Sequence, residues 1–281
     1  MGYEEMKALQ EKYEKEILSS GGIHGIGIGR RKNGGDGGGE LAFLIYAESQ
    51  SAVDTLRGKN LLSDIPAPCE YIVEPPFKTD ILYVDGDNLV SQDQGRYRPL
   101  MGGIQIYLRN GSSSWMGTLG TFVKSQAAGD NNLYMLSNLH VLETVGLAVS
   151  QPLSGRENIV GMVSKATDFI DTDAALAIVN APDDVAVNVI EEIGRVSQTT
   201  ALTSADLGQR MIKRGRTTGL TEGTLETING TFKVDGVYRY DCACVRADAG
   251  TLFSDRGDSG SPVILKGNGR LAGLHFAGNQ K

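Results

Sequence analysis

Residues 256–263 read RGDSGSPV, a serine between two glycines with an aspartate before it and an apolar run after it. Glycine, aspartate and serine are also the residues of ordinary turns. The octapeptide alone therefore fits either a polar loop between two strands or the nucleophile turn of a serine hydrolase. A serine hydroxyl is a weak nucleophile, so such an enzyme needs a histidine base that a carboxylate holds in one tautomer.

The chain offers few candidates for the base. It has three histidines, and His140 directly follows an apolar stretch in LYMLSNLHVLE (133–143). His24 lies in an N-terminal region with no carboxylate or second histidine close in sequence, which favours a packed or surface side chain. His275 closes the last apolar run. His140 is therefore the predicted base.

The carboxylate that orients the histidine should lie beside another apolar strand. The stretch FIDTDAALAIV (169–179) offers Asp171 and Asp173, and Asp173 is preferred because it is closer to the apolar run. The three groups then occur in the order His140, Asp173, Ser259. This order is typical of chymotrypsin-type enzymes and differs from that of subtilisins and α/β-hydrolases.

Short apolar runs between turn signals recur from residue 99 to the end of the sequence, and this pattern predicts an antiparallel barrel or sandwich. Residues 1–78 predict a small α+β module: an amphipathic helix over 3–19, two strands over 22–31 and 40–48, a short helix over 51–62, and a strand that starts at Cys69. Residues 79–98 are polar and turn-rich, as in a linker. The predicted fold class is mainly β.

Three motifs carry a resemblance to a known family. SNLHVL, DTDAALA and GDSGSPV resemble the His, Asp and Ser motifs of trypsin/chymotrypsin-like serine proteases, over residues 99–281. GIHGIGIG, GELAFLIYAE, GTLG and GRTTGLTEGTL extend the likeness to bacterial members with a small N-terminal module. The resemblance implies a chymotrypsin-like double antiparallel β-barrel preceded by a small α+β domain. His140 and Asp173 would come from the first barrel and Ser259 from the second.

The resemblance also implies roles within the serine turn. The backbone N–H groups of Gly257 and Ser259 would form the oxyanion hole. Asp258 would point away from the substrate and brace the turn by pairing with Arg214, or with Lys213, rather than with a newly cut N-terminus.

The specificity pocket is assigned by the same resemblance to Phe253, Ser254 and His275. Because no acidic residue stands at Phe253, a preference for Arg or Lys before the cut is disfavoured. His275 and Ser254 resemble groups that grip an acidic side chain in glutamyl endopeptidases of this fold. One hypothesis is thus a preference for Glu or Asp; the other is that His275 packs in a mixed or apolar pocket beside Phe253.

Other patterns indicate no further chemistry. Gly25, Gly27 and Gly29 alternate within a predicted strand, whereas a dinucleotide-binding fingerprint must open a helix. Cys69, Cys242 and Cys244 are too few for a disulfide framework, and no further zinc ligands stand near the last two. The expectation is free thiols, with no cofactor and no metal.

Composition limits the partners. The net charge is −7, from 27 basic and 34 acidic residues, and no basic block interleaves with aromatic residues, so nucleic-acid binding is disfavoured. The N-terminal residues are charged and no stretch approaches about 20 apolar residues, so no membrane partner is expected. The odd cysteine count favours the cytoplasm.

These observations predict a serine endopeptidase that cuts a specific protein or peptide substrate through an acyl-enzyme, with residues 1–78 open to a regulatory partner. The alternative is a catalytically latent or inactive protease fold that serves as a binding or regulatory module. An esterase with the same triad has no supporting feature in the sequence.

Overall fold

A computed structural model of the protein describes residues 1–31, 39–59, 65–80, 82–84, 93, 95–166 and 172–279, with the backbone alone for 82–84. The strands, in chain order, are β1 (Ile23–Arg30), β2 (Leu41–Ala47), β3 (Cys69–Val73), β4 (Lys78–Thr79), β5 (Leu82–Val84), β6 (Leu100–Gly102), β7 (Gln105–Asn110), β8 (Ser113–Thr118), β9 (Thr121–Lys124), β10 (Leu133–Ser137), β11 (Ala148–Ser150), β12 (Ile159–Ala166), β13 (Ala175–Val179), β14 (Val185–Ile190), β15 (Gly194–Arg195), β16 (Arg210–Gly215), β17 (Gly219–Val234), β18 (Val237–Ala247), β19 (Pro262–Leu265), β20 (Arg270–Leu274) and β21 (Ala277–Gly278).

The predicted helices are confirmed. The amphipathic segment forms α1 (Tyr3–Leu18), which buries Met6 and Ile17 completely. The second helix is α2 (Gln50–Gly58), and it begins where the Ser49 hydroxyl accepts a hydrogen bond from the N–H of Ala52. The last predicted residues of this helix, 60–62, lie outside the described residues. A third helix, α3 (Leu139–Leu142), is a single turn after β10.

The first large sheet has the strand order β5-β8-β7-β11-β12-β13-β10-β9 and is antiparallel throughout. It surrounds a core that includes Trp115, Phe122 and Met135. The second large sheet has the order β20-β19-β16-β17-β1-β2-β3, with β18 also paired to β17. The predicted mainly-β fold is therefore confirmed.

The N-terminal strands continue the second sheet, a relationship the sequence did not predict. β1 pairs antiparallel with β17, and Gly25 lies opposite Phe232. A Cβ added at Gly25 would lie 2.4 Å from Cδ1 of Phe232, so the glycine lets the two strands approach. The glycines of β1 thus serve strand packing rather than a phosphate loop. The predicted domain boundaries at residues 78 and 98 stay predictions.

The two large sheets meet at Thr118. Its N–H donates to the carbonyl of Ser259 at 2.8 Å, and its hydroxyl donates to the carbonyl of Gly257 at 3.0 Å. The serine turn of the second sheet is thereby fixed against the end of β8 in the first. Across the described ranges, no helix is both long and apolar enough to cross a membrane.

Candidate active site

His140 and Asp173 form a close, partly buried pair. Nδ1 of His140 lies 2.5 Å from Oδ2 of Asp173, and the backbone N–H of His140 donates to Oδ1 at 3.2 Å. The side chain of Asn138 donates to the Asp173 carbonyl at 2.9 Å. The carboxylate thus contacts the histidine through both oxygens, an arrangement that leaves Nε2 as the nitrogen available to a substrate or nucleophile. Asp171, the other candidate, lies outside the described residues.

Strand register explains why two residues 33 positions apart meet. β10 and β13 are antiparallel neighbours, and Ser137 at the end of β10 lies opposite Ala175 at the start of β13. The chain just after Ser137 therefore lies beside the chain just before Ala175. Val141 holds α3 in place, because it is fully buried and its carbonyl accepts a 2.6 Å hydrogen bond from Trp115.

Ser259 lies across this junction from α3. A Cβ added at Gly117 would be 2.5 Å from Cγ1 of Val141 and 3.2 Å from the Ser259 carbonyl, so both neighbours touch the same point of β8. The Ser259 hydroxyl donates to the carbonyl of Phe276 at 3.3 Å. Nε2 of His140 is buried and has no hydrogen-bond partner among the described residues. Val141, the neighbour of His140, and Ser259 thus approach the same point of β8, while the Ser259 hydroxyl and Nε2 of His140 are not hydrogen-bonded to each other.

Gly257 begins the serine turn with a left-handed backbone. Its φ is +98°, and an added Cβ would lie 2.7 Å from both Nη1 of Arg216 and Oγ1 of Thr217. No side chain fits there, which is why the position requires glycine. Its N–H donates a 2.5 Å hydrogen bond to the carbonyl of Asp80.

Asp258 is fully buried within the turn. Its Oδ2 lies 3.1 Å from Nζ of Lys213 and accepts from the Thr218 hydroxyl at 2.6 Å, while Oδ1 accepts the N–H of Thr217 at 2.8 Å. Burial by itself would raise the pKa of Asp258, but Lys213 and these hydrogen bonds hold that pKa below its usual value. The carboxylate is therefore ionised and turned away from the cleft.

The choice of Arg214 as the brace was wrong. Arg214 bonds to Asp93, Glu192 and the Gly103 carbonyl, and the cation on Asp258 is Lys213, the alternative considered from the sequence. Successive side chains of a strand point to opposite faces, so only one of these neighbours in β16 can face the turn. The sequence motif alone does not tell which.

The three residues predicted for the specificity pocket lie near one another. The rings of Phe253 and His275 are 6.1 Å apart in an edge-to-face arrangement. A Cβ added at Gly278 would lie 2.9 Å from Oγ of Ser254 and 3.2 Å from Oδ2 of Asp80. Nε2 of His275 lies 2.7 Å from that same Oδ2. The pocket therefore surrounds a carboxylate that the chain itself supplies.

Sequence reasoning missed Asp80, Phe276 and Gly278. Asp80 stands in a stretch predicted to be a linker, and no local pattern sets it apart from neighbouring polar residues. Phe276 and Gly278 contribute backbone groups and space, which carry no side-chain signal. The one signal was the resemblance by which His275 and Ser254 would grip an acidic side chain, and in the structure His275 contacts the carboxylate of Asp80.

Residues predicted to have no catalytic part are packed. His24 is buried, and its Nε2 lies 3.0 Å from the Glu74 carbonyl; burial lowers its pKa. The three cysteines are free, and burial raises the pKa of Cys69 to about 11 and that of Cys242 to about 12. Thiols with such pKa values are poor nucleophiles near neutral pH.

Solved structures similar to this chain are bacterial serine proteases. Thermobifida fusca protease A has 20% identity and a TM-score of 0.47 over 62% of this chain and 81% of its own. Cellulomonas bogoriensis chymotrypsin has 18% identity and a TM-score of 0.45 over 62% and 80%. A glutamic acid specific serine protease has 20% identity and a TM-score of 0.46 over 63% and 84%. With identities and TM-scores this low, the activities of these proteins do not transfer to this chain. No protein-family model matches the sequence, and no curated protein matches it.

Proposed function

We propose that the protein is a serine endopeptidase in which Ser259 is the nucleophile, His140 the general base and Asp173 the group that orients the base. The observation that carries this proposal is the His140–Asp173 pair, 2.5 Å apart and held at the junction where the turn of Ser259 meets β8. A histidine oriented by a carboxylate and lying near a serine turn is the set of groups that a serine hydrolase requires.

In the proposed mechanism the Ser259 oxygen attacks the peptide carbonyl while His140 takes its proton at Nε2. His140 then gives that proton to the leaving amine, and an acyl-enzyme forms. A water molecule, deprotonated by the same nitrogen, attacks the acyl carbon, and His140 returns the proton to the Ser259 oxygen as the ester bond breaks. Asp173 stays ionised and stabilises the imidazolium at Nδ1.

The negative charge that develops on the carbonyl oxygen needs donors already aimed at it. The N–H of Gly257, which donates to the Asp80 carbonyl, is the first donor in the proposal, and Ser259 contributes the second N–H. Asp258 and Lys213 keep the turn rigid from behind. Loss of such a donor lowers the rate by about two to three orders of magnitude.

The proposed substrate has an acidic residue before the cut. Support comes from His275, whose Nε2 lies 2.7 Å from a carboxylate oxygen in the pocket, and from the Ser254 hydroxyl close by. Phe253 closes one side, so the pocket has both an apolar wall and a donor for one carboxylate. Of the two hypotheses from the sequence, this contact favours the acidic preference over simple packing of His275.

A second candidate function is a latent protease, and one observation favours it. The Ser259 hydroxyl donates to Phe276 and Nε2 of His140 has no partner among the residues described, so the hydrogen bond that activates the nucleophile is not made. A latent enzyme keeps all catalytic groups and becomes active when this hydrogen bond forms. An inactive binding module would not become active in this way.

A fluorophosphonate probe tests the proposal. We expect it to label Ser259 in the wild-type protein, to label nothing in Ser259→Ala, and to react far more slowly with His140→Ala. Lack of labelling under every condition, in a protein shown by circular dichroism to be folded, would contradict the endopeptidase proposal and favour the binding module.

Peptide-library profiling tests the substrate class. We expect cleavage after Glu or Asp, and we expect His275→Phe, which keeps the ring packing against Phe253, to lose that preference. A wild-type preference for aliphatic residues before the cut would overturn the acidic assignment and leave the serine mechanism untouched.

A further inference from the structure

A short strand of the chain itself occupies the groove beside the serine turn. β4 runs antiparallel to β21, with Thr79 opposite Ala277 and Lys78 opposite Gly278. β21 follows His275 and Phe276 directly, so it forms the wall of the candidate pocket. An extended peptide that adds a strand to an exposed sheet edge is a common way for proteins to bind peptides.

The backbone of Asp80 is held at both ends. Its N–H donates to the Phe276 carbonyl at 3.4 Å, and its carbonyl accepts the N–H of Gly257 at 2.5 Å. The N–H of Gly257 is a donor of the proposed oxyanion hole. In acyl transfer, the carbonyl that such a donor contacts is the one the nucleophile attacks. Asp80 therefore takes the position of the residue before a scissile bond.

The side chain of Asp80 supplies the third contact. It is 1% exposed and its Oδ2 lies 2.7 Å from Nε2 of His275. Oδ1 is buried and has no hydrogen-bond partner in the part of the chain that the structure describes. A buried carboxylate oxygen without a partner is costly to keep, so this oxygen adds nothing to what holds Asp80 in place.

From these contacts, and resting on the proposed function, we infer that residues 78–80 are an internal pseudosubstrate that closes the active site. Its natural competitor is an extended peptide with Asp or Glu before the cut. The occupant presents its backbone in the antiparallel register and its carboxylate in the pocket, as that peptide would.

Two observations favour an inhibitor over a bond about to be cut. The Ser259 hydroxyl donates to Phe276, which leaves the attacking oxygen without its base. The segment is also fixed on both sides: Phe77 forms a β-bridge with Val234 before it, and β5 pairs with β8 after it. A cut within a segment anchored on both sides keeps the leaving amine near the acyl-enzyme, where it can attack in return.

The anchor before the groove suggests how the segment leaves. Thr79 donates to Oδ2 of Asp235 through its N–H at 3.0 Å and its hydroxyl at 2.8 Å, and Asp235 lies in the exposed turn between β17 and β18. A partner that binds this turn through Asp235 would break both hydrogen bonds from Thr79. Because the occupant is tethered, its effective concentration is about millimolar, so a free peptide with equal contacts competes poorly until the tether moves.

The experiment compares the full-length wild-type protein with Asp80→Ala, which removes the pocket ligand. The matched control is Asp54→Ala, an exposed aspartate on α2. The readouts are the rate of fluorophosphonate labelling of Ser259 and the hydrolysis of a fluorogenic peptide ending in Lys-Thr-Asp. We expect Asp80→Ala to raise both rates at least tenfold and Asp54→Ala to leave them unchanged.

A second variant, Asp235→Gly, tests the same assignment without touching the pocket. Its backbone φ is +48°, which glycine adopts without strain, so the fold is retained while Thr79 loses its anchor. A rise in both rates supports the inference. Equal rates in wild type, Asp80→Ala and Asp235→Gly would overturn it while the endopeptidase proposal stands, whereas no labelling of Ser259 in any of them refutes both.

Mass spectrometry of the purified chain shows whether residues 78–80 are an inhibitor or a substrate that is cut. An intact wild-type chain supports an inhibitor. A wild-type chain cut between Asp80 and Ile81, with Ser259→Ala uncut, would make the segment a true substrate and overturn its assignment as an inhibitor.

Discussion

The ammonium group of Lys213 lies 3.1 Å from Oδ2 of Asp258, and neither side chain is exposed to solvent. β16 carries Lys213 opposite Val263 of β19, just beyond the serine turn, so sheet pairing brings the cation under that turn. A buried charge is tolerated only when it is paired and hydrogen-bonded. The pair therefore fixes the shape of the turn that holds Ser259.

Removal of the cation should be costly. Lys213→Met keeps the length of the side chain but leaves Asp258 as an unpaired buried carboxylate, and we expect a loss of about 3–5 kcal/mol in the free energy of unfolding. The control is Lys266→Met, whose ion pair with Glu222 is exposed and screened by solvent, so its loss should change the free energy of unfolding little. Urea unfolding measures both. Equal losses of unfolding free energy in the two variants would show that the buried ion pair contributes no more to stability than the exposed one.

The same pair predicts a dependence on pH. The pKa of Asp258 is lower in the folded protein than in the unfolded chain, so its contribution to stability is complete above about pH 4 and is lost as the pH falls through the folded-state pKa. In Lys213→Met the carboxyl is better tolerated when protonated. The stability gap between wild type and Lys213→Met should therefore narrow from pH 7 to pH 3. A gap that widens on acidification would contradict this reasoning.

The turn glycine can be tested against another glycine with a left-handed backbone. Gly257→Ala places a Cβ 2.7 Å from Arg216 and Thr217, whereas Gly250→Ala, at φ +79°, meets nothing within 4 Å. Both should lose about 1 kcal/mol or more of stability from backbone strain. Only Gly257→Ala should also lose peptidase activity, by about two to three orders of magnitude. Unfolding curves and kcat/KM measured side by side separate the two effects.

Asp173→Asn tests the orienting carboxylate. The amide keeps the shape of the side chain but turns a hydrogen-bond donor or a weaker acceptor toward Nδ1 of His140, which favours the wrong tautomer. We expect kcat to fall by about four orders of magnitude while the melting temperature changes little. If activity stays within tenfold of wild type, Asp173 is not the orienting group.

The contact between the N-terminal strands and the rest of the second sheet should make the protein unfold in one cooperative step. A Cβ at Gly29 would lie 2.5 Å from the Glu226 carbonyl of β17 and 2.5 Å from Leu44, so Gly29→Ala forces β1 away from its neighbours. Gly21→Ala meets nothing within 4 Å. We expect a loss of about 1–3 kcal/mol for the first and little change for the second. A wild-type protein that unfolds in two separate steps would contradict the view that β1 and β17 belong to one cooperative sheet.

Several elements of the fold follow from local chemistry alone. Spacing of apolar residues predicted α1, alternation and turn residues predicted the strands, and the order of His140, Asp173 and Ser259 predicted a chymotrypsin-type arrangement. The predictions of α1 and of the strands succeed because side-chain periodicity reflects which face of an element is buried. The catalytic roles of the three residues stay a prediction.

Which groups meet depends on the tertiary fold. It paired Lys213 rather than Arg214 with Asp258, joined β1 to β17, and placed Asp80 against His275 and Gly257. Sequence patterns describe the faces of single elements, whereas these contacts depend on strand register and on the approach of segments that are 45 residues apart for Lys213 and Asp258 and 195 for Asp80 and His275. Asp80 is one polar residue among several until the sheet brings it to the pocket.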